Sequence, residues 1–300
     1  MLVTRLFTLA LLPVLCSCVC ILQSECDITS NSFYHYAGVG SPQEGDSYLQ
    51  IENSADLSQL HIGDKLFIMQ MQGGYGISLD TNPASTTFGD VLDYGTAGVY
   101  ETNFIDAIDF NCDYPMIQLH TPLTNSYLTN TQSSFQVVKI IYCETVTLLE
   151  DIVCKGWDGA RGGVVIIQAF TLNMGSFGVD CSGAGYRGGS VTNGCVGSSP
   201  NLSQGCFDPL GGAKGETLIK NTAYPYCLSA FATGGGGGVC NTTEISASNY
   251  VGAGAGGSNL GILAFFTFLF PSITISNARN RIWRRFIWNR FTRCASNCRG

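Results

Sequence analysis

The chain has 300 residues, 45% of them apolar and 12% charged, with 37 Gly, 14 Cys and a net charge of −7. That much apolar sequence excludes a solvated, disordered chain, and the length suits one or two domains. Up to residue 275 there are 8 Lys and Arg against 22 Asp and Glu, whereas residues 276–300 hold seven Arg and no acid. The body therefore lacks the positive charge that non-specific nucleic-acid affinity draws on, and no nucleic-acid partner is expected for it.

The chain opens "MLVTRLFTLALLPVLCSCVCILQSECD", in which Arg5 precedes an uncharged run over 6–24 and Glu25 is the first acid. A basic start, an apolar stretch and small residues (Cys18, Cys20, Ser24) follow the order of a secretory signal, predicted over 1–24. An uncleaved anchor is the alternative. "LCSC" at 15–18 loosely resembles a lipoprotein cleavage box, with an atypical Cys at its second position. Export would put the nine cysteines between Cys26 and Cys240 in an oxidising compartment, where cysteines pair. Nine is odd, so one thiol stays single, joins the tail or joins another molecule. No CxxC occurs and His35, His61 and His120 are widely separated, so no metal site is predicted. Asn201-Leu202-Ser203 and Asn241-Thr242-Thr243 are glycosylation acceptors in a eukaryotic host.

Residues 27–145 are rich in Tyr, Phe, Thr, Ile and Val and lack long helical periodicity. "HIGDKLFIMQMQGG" reads as a Gly-Asp turn feeding a strand over 65–71 that ends at paired glycines. Further strands are predicted within 97–109, 114–123 and 134–151, with turns at 111–113 and 125–126 and a single helical turn at 56–60. Short strands at this spacing predict a small β-barrel or sandwich.

From residue 146 the pattern changes. "VTLLEDIVCKGWDG" and "FTLNMGSFGVDCSG" share a Thr-Leu start, a late Val, a Cys and a closing Gly. Thr147 to Thr171 is a step of 24 and Cys154 to Cys181 a step of 27. Steps of this size suit coils of a β-solenoid, each stacking its apolar strand on the next; adjacent hairpins of one sheet are the alternative. The near-continuous apolar run from Val164 to Phe170 predicts a strand covered on both faces, with Leu172, Met174, Phe177 and Val179 continuing the core. Residues 183–261 then hold 20 of the 37 Gly. Glycine loses most backbone entropy on ordering, so this part reads as long loops tied at their bases by Cys195, Cys206, Cys227 and Cys240.

Taken in order, "GDKLFIMQMQG", "AGVYE", "SFQVVKIIYCETVTL" and "GWDGARGGVVIIQAF…VDCSGAGYRGG" resemble the leading segment of a family of large exported glycine-rich proteins, mostly uncharacterised surface or secreted chains. The resemblance covers 63–257 and implies a strand-rich module, a Trp-x-Gly-x-x-Gly-Gly strand and glycine-dense loops, with no catalytic motif to carry over. The cysteine content and the abrupt end of the glycine-rich part at Gly257 depart from that pattern.

Residues 258–300 form an apolar segment and an Arg-rich tail. The uncharged run 260–276 is 17 residues long, at the lower edge of what spans a bilayer, and the Arg that follow would lie on the cytoplasmic side. A foreign extension and a buried strand with a disordered basic end are the other readings. "RIWRRFIWNRF" can also lie on an anionic membrane, with Ile282, Trp283, Phe286 and Ile287 toward lipid.

Catalytic signatures are weak. Gly183 to Gly188 and Gly252 to Gly257 match GxGxxG, but neither has the helix and acid that a dinucleotide site needs. "GGAKGET" lacks the phosphate-loop spacing, and GxSxG is absent. Asp106, Asp109, Asn111 and Asp113 offer oxygens for Ca²⁺, though solvated turn acids are the simpler reading. A polysaccharide-cleaving enzyme would need paired carboxyls, for which Glu101, Asp158 and Asp180 are the candidates, and Trp157, Tyr186 and Tyr224 would stack on sugar rings. Architecture explains the whole stretch 156–189 without catalysis. The expectation is an all-β, exported or cell-surface structural or adhesive module with no catalytic, cofactor or metal residue and an unidentified extracellular partner, a glycan or matrix. A carbohydrate-binding domain or a polysaccharide-active enzyme is the alternative.

Overall fold

The computed structural model describes residues 22–82, 84–190, 192–193, 213–220, 231–232, 234, 251–252 and 262–266. The expected leader before Leu22, the two glycosylation acceptors, Cys195, Cys206, Cys227, Cys240, Tyr224 and the Arg-rich tail lie outside the described residues. The strands in chain order are β1 (Gln23–Ile28), β2 (His35–Val39), β3 (Tyr48–Ile51), β4 (Lys65–Gln72), β5 (Ser78–Leu79), β6 (Val91–Asp93), β7 (Tyr100–Asp109), β8 (Met116–Leu119) and β9 (Ser134–Lys139). They continue with β10 (Ile141–Leu148), β11 (Ile152–Val153), β12 (Val164–Asn173), β13 (Val179–Asp180), β14 (Thr192–Asn193), β15 (Val251–Gly252) and β16 (Ile262–Phe266). Helical structure among the described residues is confined to two 3₁₀ turns, Ser30–Ser32 and Ala55–Gln59. The chain is all-β.

Strands β2, β3, β8, β7, β4 and β9 close into an antiparallel barrel, with β9 pairing back onto β2. Successive residues of a strand point to opposite faces, and here the inward set is apolar: Leu49 and Ile51, Leu66 and Ile68, Ile117 and Leu119, Phe135 and Val137 all lie in one buried cluster with Tyr36, Ile105 and Tyr127. Gly38 is what allows Phe135 to fill the interior, because a Cβ there would overlap its ring. The sequence left barrel and sandwich open; the return of β9 to β2 decides for the barrel.

The second sheet is parallel, in the order β1-β10-β12-β16, and beside it β11 pairs parallel with β13. Strands β10–β11 and β12–β13 are thus two stacked coils of a solenoid-like segment. Their register corrects the repeat read from the sequence. Thr171 lies opposite Thr145, not Thr147, and Thr147 lies opposite Asn173; the Cys154-to-Cys181 step agrees with Ile152 opposite Val179 and Val153 opposite Asp180.

Two long excursions leave this sheet. The whole barrel sits between β1 and β10, whose residues Gln23 and Cys143 are opposed, and the glycine-rich part lies between β13 and β16. The β1 strand therefore belongs to the parallel sheet and not to the 27–145 module, and it takes in Gln23 and Ser24 from the expected leader. A disulfide joins Cys26 on β1 to Cys143 on β10.

Strand β12 is covered on both faces, as its apolar run predicts. Val165, Ile167 and Ala169 pack with Ile28, Val146, Leu148 and Ile152 inside the coils. Val164 and Ile166 turn the other way, against Phe67, Met71, Val138 and Ile140 on the outside of the barrel and against Trp157. This cover ends at Phe170, which is exposed, and Phe177 is exposed too, although both read as core residues. Leu172, Met174 and Val179 do pack on the coil core. Five residues of the apolar run 260–276 form β16, paired parallel with Val164–Gln168. No helix among the described residues is long and apolar enough to cross a membrane.

Candidate functional site

The three carboxylates singled out from the sequence lie in three separate places, on β7, in the 158–161 turn and on β13. Glu101, second residue of β7, accepts hydrogen bonds from the Thr124 amide (2.9 Å) and hydroxyl (2.8 Å), the Asn125 amide (3.2 Å) and the Tyr127 hydroxyl (2.9 Å). Burial, then the Glu101 charge, pushes the Tyr127 phenol above its ordinary pKa, so Tyr127 stays a donor. Asp158 accepts from the Ala160 and Arg161 amides, each at 2.9 Å. Burial opposes its ionisation, but these two amides and the Arg161 and Lys155 charges outweigh that and hold its pKa below the usual carboxylate range. Asp180, exposed at the end of β13, accepts from the Ser182 amide at 2.8 Å, and Ser182 lowers its pKa. The three share no hydrogen-bond partner. Each is spent on shaping its own loop, where a glycosidase needs two carboxyls facing one substrate.

The other sequence candidates also resolve into structure. Trp157 is buried, edge-on to Tyr186 with ring centroids 5.7 Å apart, and the Tyr186 hydroxyl donates to the Met71 carbonyl on the barrel. Burial removes Trp157 from the stacking role considered for it, and Tyr186 is half-buried against it. The first GxGxxG stretch is a connector: the Trp157 amide donates to the Ala184 carbonyl at 2.9 Å, and Arg187 pairs with Glu216 at 2.5 Å. Asp106 pairs with His120 at 2.9 Å and Asp109 caps the Asn111 turn. Among the described residues no group of three or more His, Cys, Asp or Glu is placed to hold a metal ion.

What the fold does assemble is one end of the barrel. The connections 40–47, 73–99 and 120–133 all leave strand ends on that side. They are knitted together: the Gly45 amide donates to Leu123 (2.8 Å), Leu123 to Asp46 (2.8 Å), Tyr127 to Pro42 (2.9 Å) and Thr129 to Gly40 (2.8 Å). The Gln43 side chain donates to the Tyr75 hydroxyl at 2.7 Å, and the Tyr75 amide to the Thr96 hydroxyl at 2.8 Å. Tyr48, Tyr75 and Tyr94 are exposed on this end. A rigid loop surface bearing tyrosines can dock an extended polar ligand by stacking and hydrogen bonding. The sequence reading missed it, because the three connections share one end only when the barrel closes.

Lys214 is a second feature that the sequence did not single out beyond its place in "GGAKGET". Its ammonium is buried without a hydrogen-bond partner among the described residues, 5.2 Å from the centre of the Phe88 ring and 5.6 Å from that of Phe231. Burial pushes its pKa down to about 8. Phe88, Phe231 and Ala232 form a small core with Leu79, Val91 and Ile219, so it is this apolar core that fastens the 213–220 segment to the β5–β6 arm, with Lys214 buried against it. No protein-family model matches the chain, and no curated protein matches it.

Proposed function

We propose that the chain is an exported or cell-surface structural or adhesive module without catalytic activity, which meets its partner through the knitted loop end of the barrel. The observation that carries this reading is the contrast at that end. Glu101, at the start of β7, is consumed in holding the 120–133 connection, while Tyr48, Tyr75 and Tyr94 are left exposed. The Cys26–Cys143 disulfide supports an oxidising compartment, as export requires. Cleavage of the leader at Cys18 or Cys20 leaves β1 whole; cleavage after Ser24 would remove two of its residues. The pairing of Ile262–Phe266 with β12 supports the reading in which the run 260–276 completes the sheet instead of spanning a bilayer.

Carbohydrate binding is the second reading, favoured by the exposed Tyr48, Tyr75 and Tyr94 on one end. Protease treatment of intact cells carrying an epitope in the exposed 110–114 turn tests export: digestion of the epitope, or its recovery in the medium, is expected, and its protection inside the cell refutes the proposal. A glycan array then separates the two readings. Binding abolished by Tyr75→Ala and Tyr94→Ala together assigns the loop end to carbohydrate.

A further inference from the structure

We propose that Cys154 and Cys181 form a disulfide that locks the two solenoid coils together one layer beyond the Cys26–Cys143 bond. In the structure both are unbonded thiols. They directly follow β11 and β13, whose register, Ile152 opposite Val179 and Val153 opposite Asp180, brings Cys154 opposite Cys181. The ladder continues through them, because the Cys154 amide donates to the Asp180 carbonyl at 2.9 Å. Neighbouring strands run about 4.8 Å apart, within the Cα separation that a disulfide accepts. Both side chains are buried in one cluster with Cys143, and the cluster continues onto Cys26, so the two sulfurs face each other inside the coil with no competing thiol among the described residues of that core.

The chemistry follows from their contact. The Cys154 thiol donates to the Cys181 sulfur, which lowers the Cys181 pKa and raises that of Cys154. With Cys181 as the first nucleophile the exchange balances, and it balances equally with the two roles reversed. As the coil closes, the Cys181 thiolate attacks one sulfur of an external disulfide, such as oxidised glutathione or the disulfide of an oxidase, and expels one thiolate. The Cys154 thiolate then attacks the Cys181 sulfur of the mixed disulfide and expels the second. The two cysteines lose two electrons and two protons, and the external disulfide leaves as two thiols. Formation in the cell rests on the export proposed above; the pairing itself rests on geometry alone.

Two preparations of the full chain separate these. One is purified from the secretory pathway of the expressing cell. The other is reduced, unfolded and refolded in a buffer of oxidised and reduced glutathione. Each is alkylated with N-ethylmaleimide without reduction, digested and mapped by mass spectrometry, with the Cys26–Cys143 peptide as the internal reference. The expected result in both is a peptide linking Cys154 to Cys181, two hydrogens lighter than the reduced pair and lost in C154A and in C181A. The bond in the refolded chain alone upholds the pairing and contradicts export. Maleimide on both Cys154 and Cys181 in the refolded chain, beside an intact Cys26–Cys143 bond, overturns the proposal. So does either cysteine bonded to another partner.

Discussion

The barrel and the parallel sheet solve the same problem, satisfying strand edges, in opposite ways. In the barrel each strand has a neighbour on both sides and the ring closes, β9 onto β2, so no edge is left to cap. The parallel sheet is open, and its partners lie far apart along the chain: β1 meets β10 only after the whole barrel, and Val164 meets Ile262 only after the glycine-rich part. Bringing such distant segments together costs loop-closure entropy, which a covalent link offsets. The barrel is held by closure, and the sheet depends on sulfur.

Removing the sulfur is the strongest way to break that comparison. A cross-link over a sequence separation of 117 contributes roughly 5 kcal/mol by the chain-entropy account. Cys26→Ala with Cys143→Ala should therefore lower Tm by roughly 10–20 °C, with proteolysis starting in the 141–173 region while the barrel resists. Ile117→Ala should cost about 2–5 kcal/mol, as cavities in fully buried sites do. Its effect should appear in amide exchange of the barrel strands, with β10 and β12 less affected.

A gain of stability is expected at Lys214. Its pKa falls from 10.5 unfolded to about 8 folded, so between these values the unfolded chain binds more protons and stability rises with pH. Below pH 8 the full cost of burying the charge, roughly 3 kcal/mol, is present in the native state, and the two ring faces return about 1 kcal/mol. Lys214→Met should raise stability at pH 7 and flatten the curve between pH 8 and 10.5, read by denaturant titration.

The smallest effect concerns the seam between the two regions. His35 on β2 donates from Nε2 to the Val164 carbonyl on β12 at 2.5 Å. Burial lowers its pKa, helped by the Lys155 and Arg161 charges and opposed by the Val164 bond. Unfolded His35 protonates first as pH falls below 6.5, so stability should decline from there downward. His35→Gln should remove that slope.

These differences also explain what the sequence made legible. The all-β class was open to reading because β-branched and aromatic runs and Gly-Asp turns are local signals, as at Lys65–Gln72. The two coils were visible through Cys154 and Cys181, but the Thr-Leu words set Thr147 against Thr171 instead of Thr145. A slip of two residues keeps every side chain on its own face, so apolar patterning cannot detect it. The pairing of β1 left no signal, since Gln23–Ile28 is polar and its partner lies beyond the barrel. Glu101, Asp158 and Asp180 were named as candidate paired carboxyls, but how far apart they lie and what they bond to is decided only in the fold.

Hydrogen exchange of the full chain, followed by mass spectrometry before and after reduction, tests the central claim most directly. The account predicts that reduction strips protection from Gln23–Ile28 and Ile141–Leu148 while His35–Val39, Lys65–Gln72 and Ser134–Lys139 keep theirs. Simultaneous, equal loss of protection in the barrel and the sheet would contradict it.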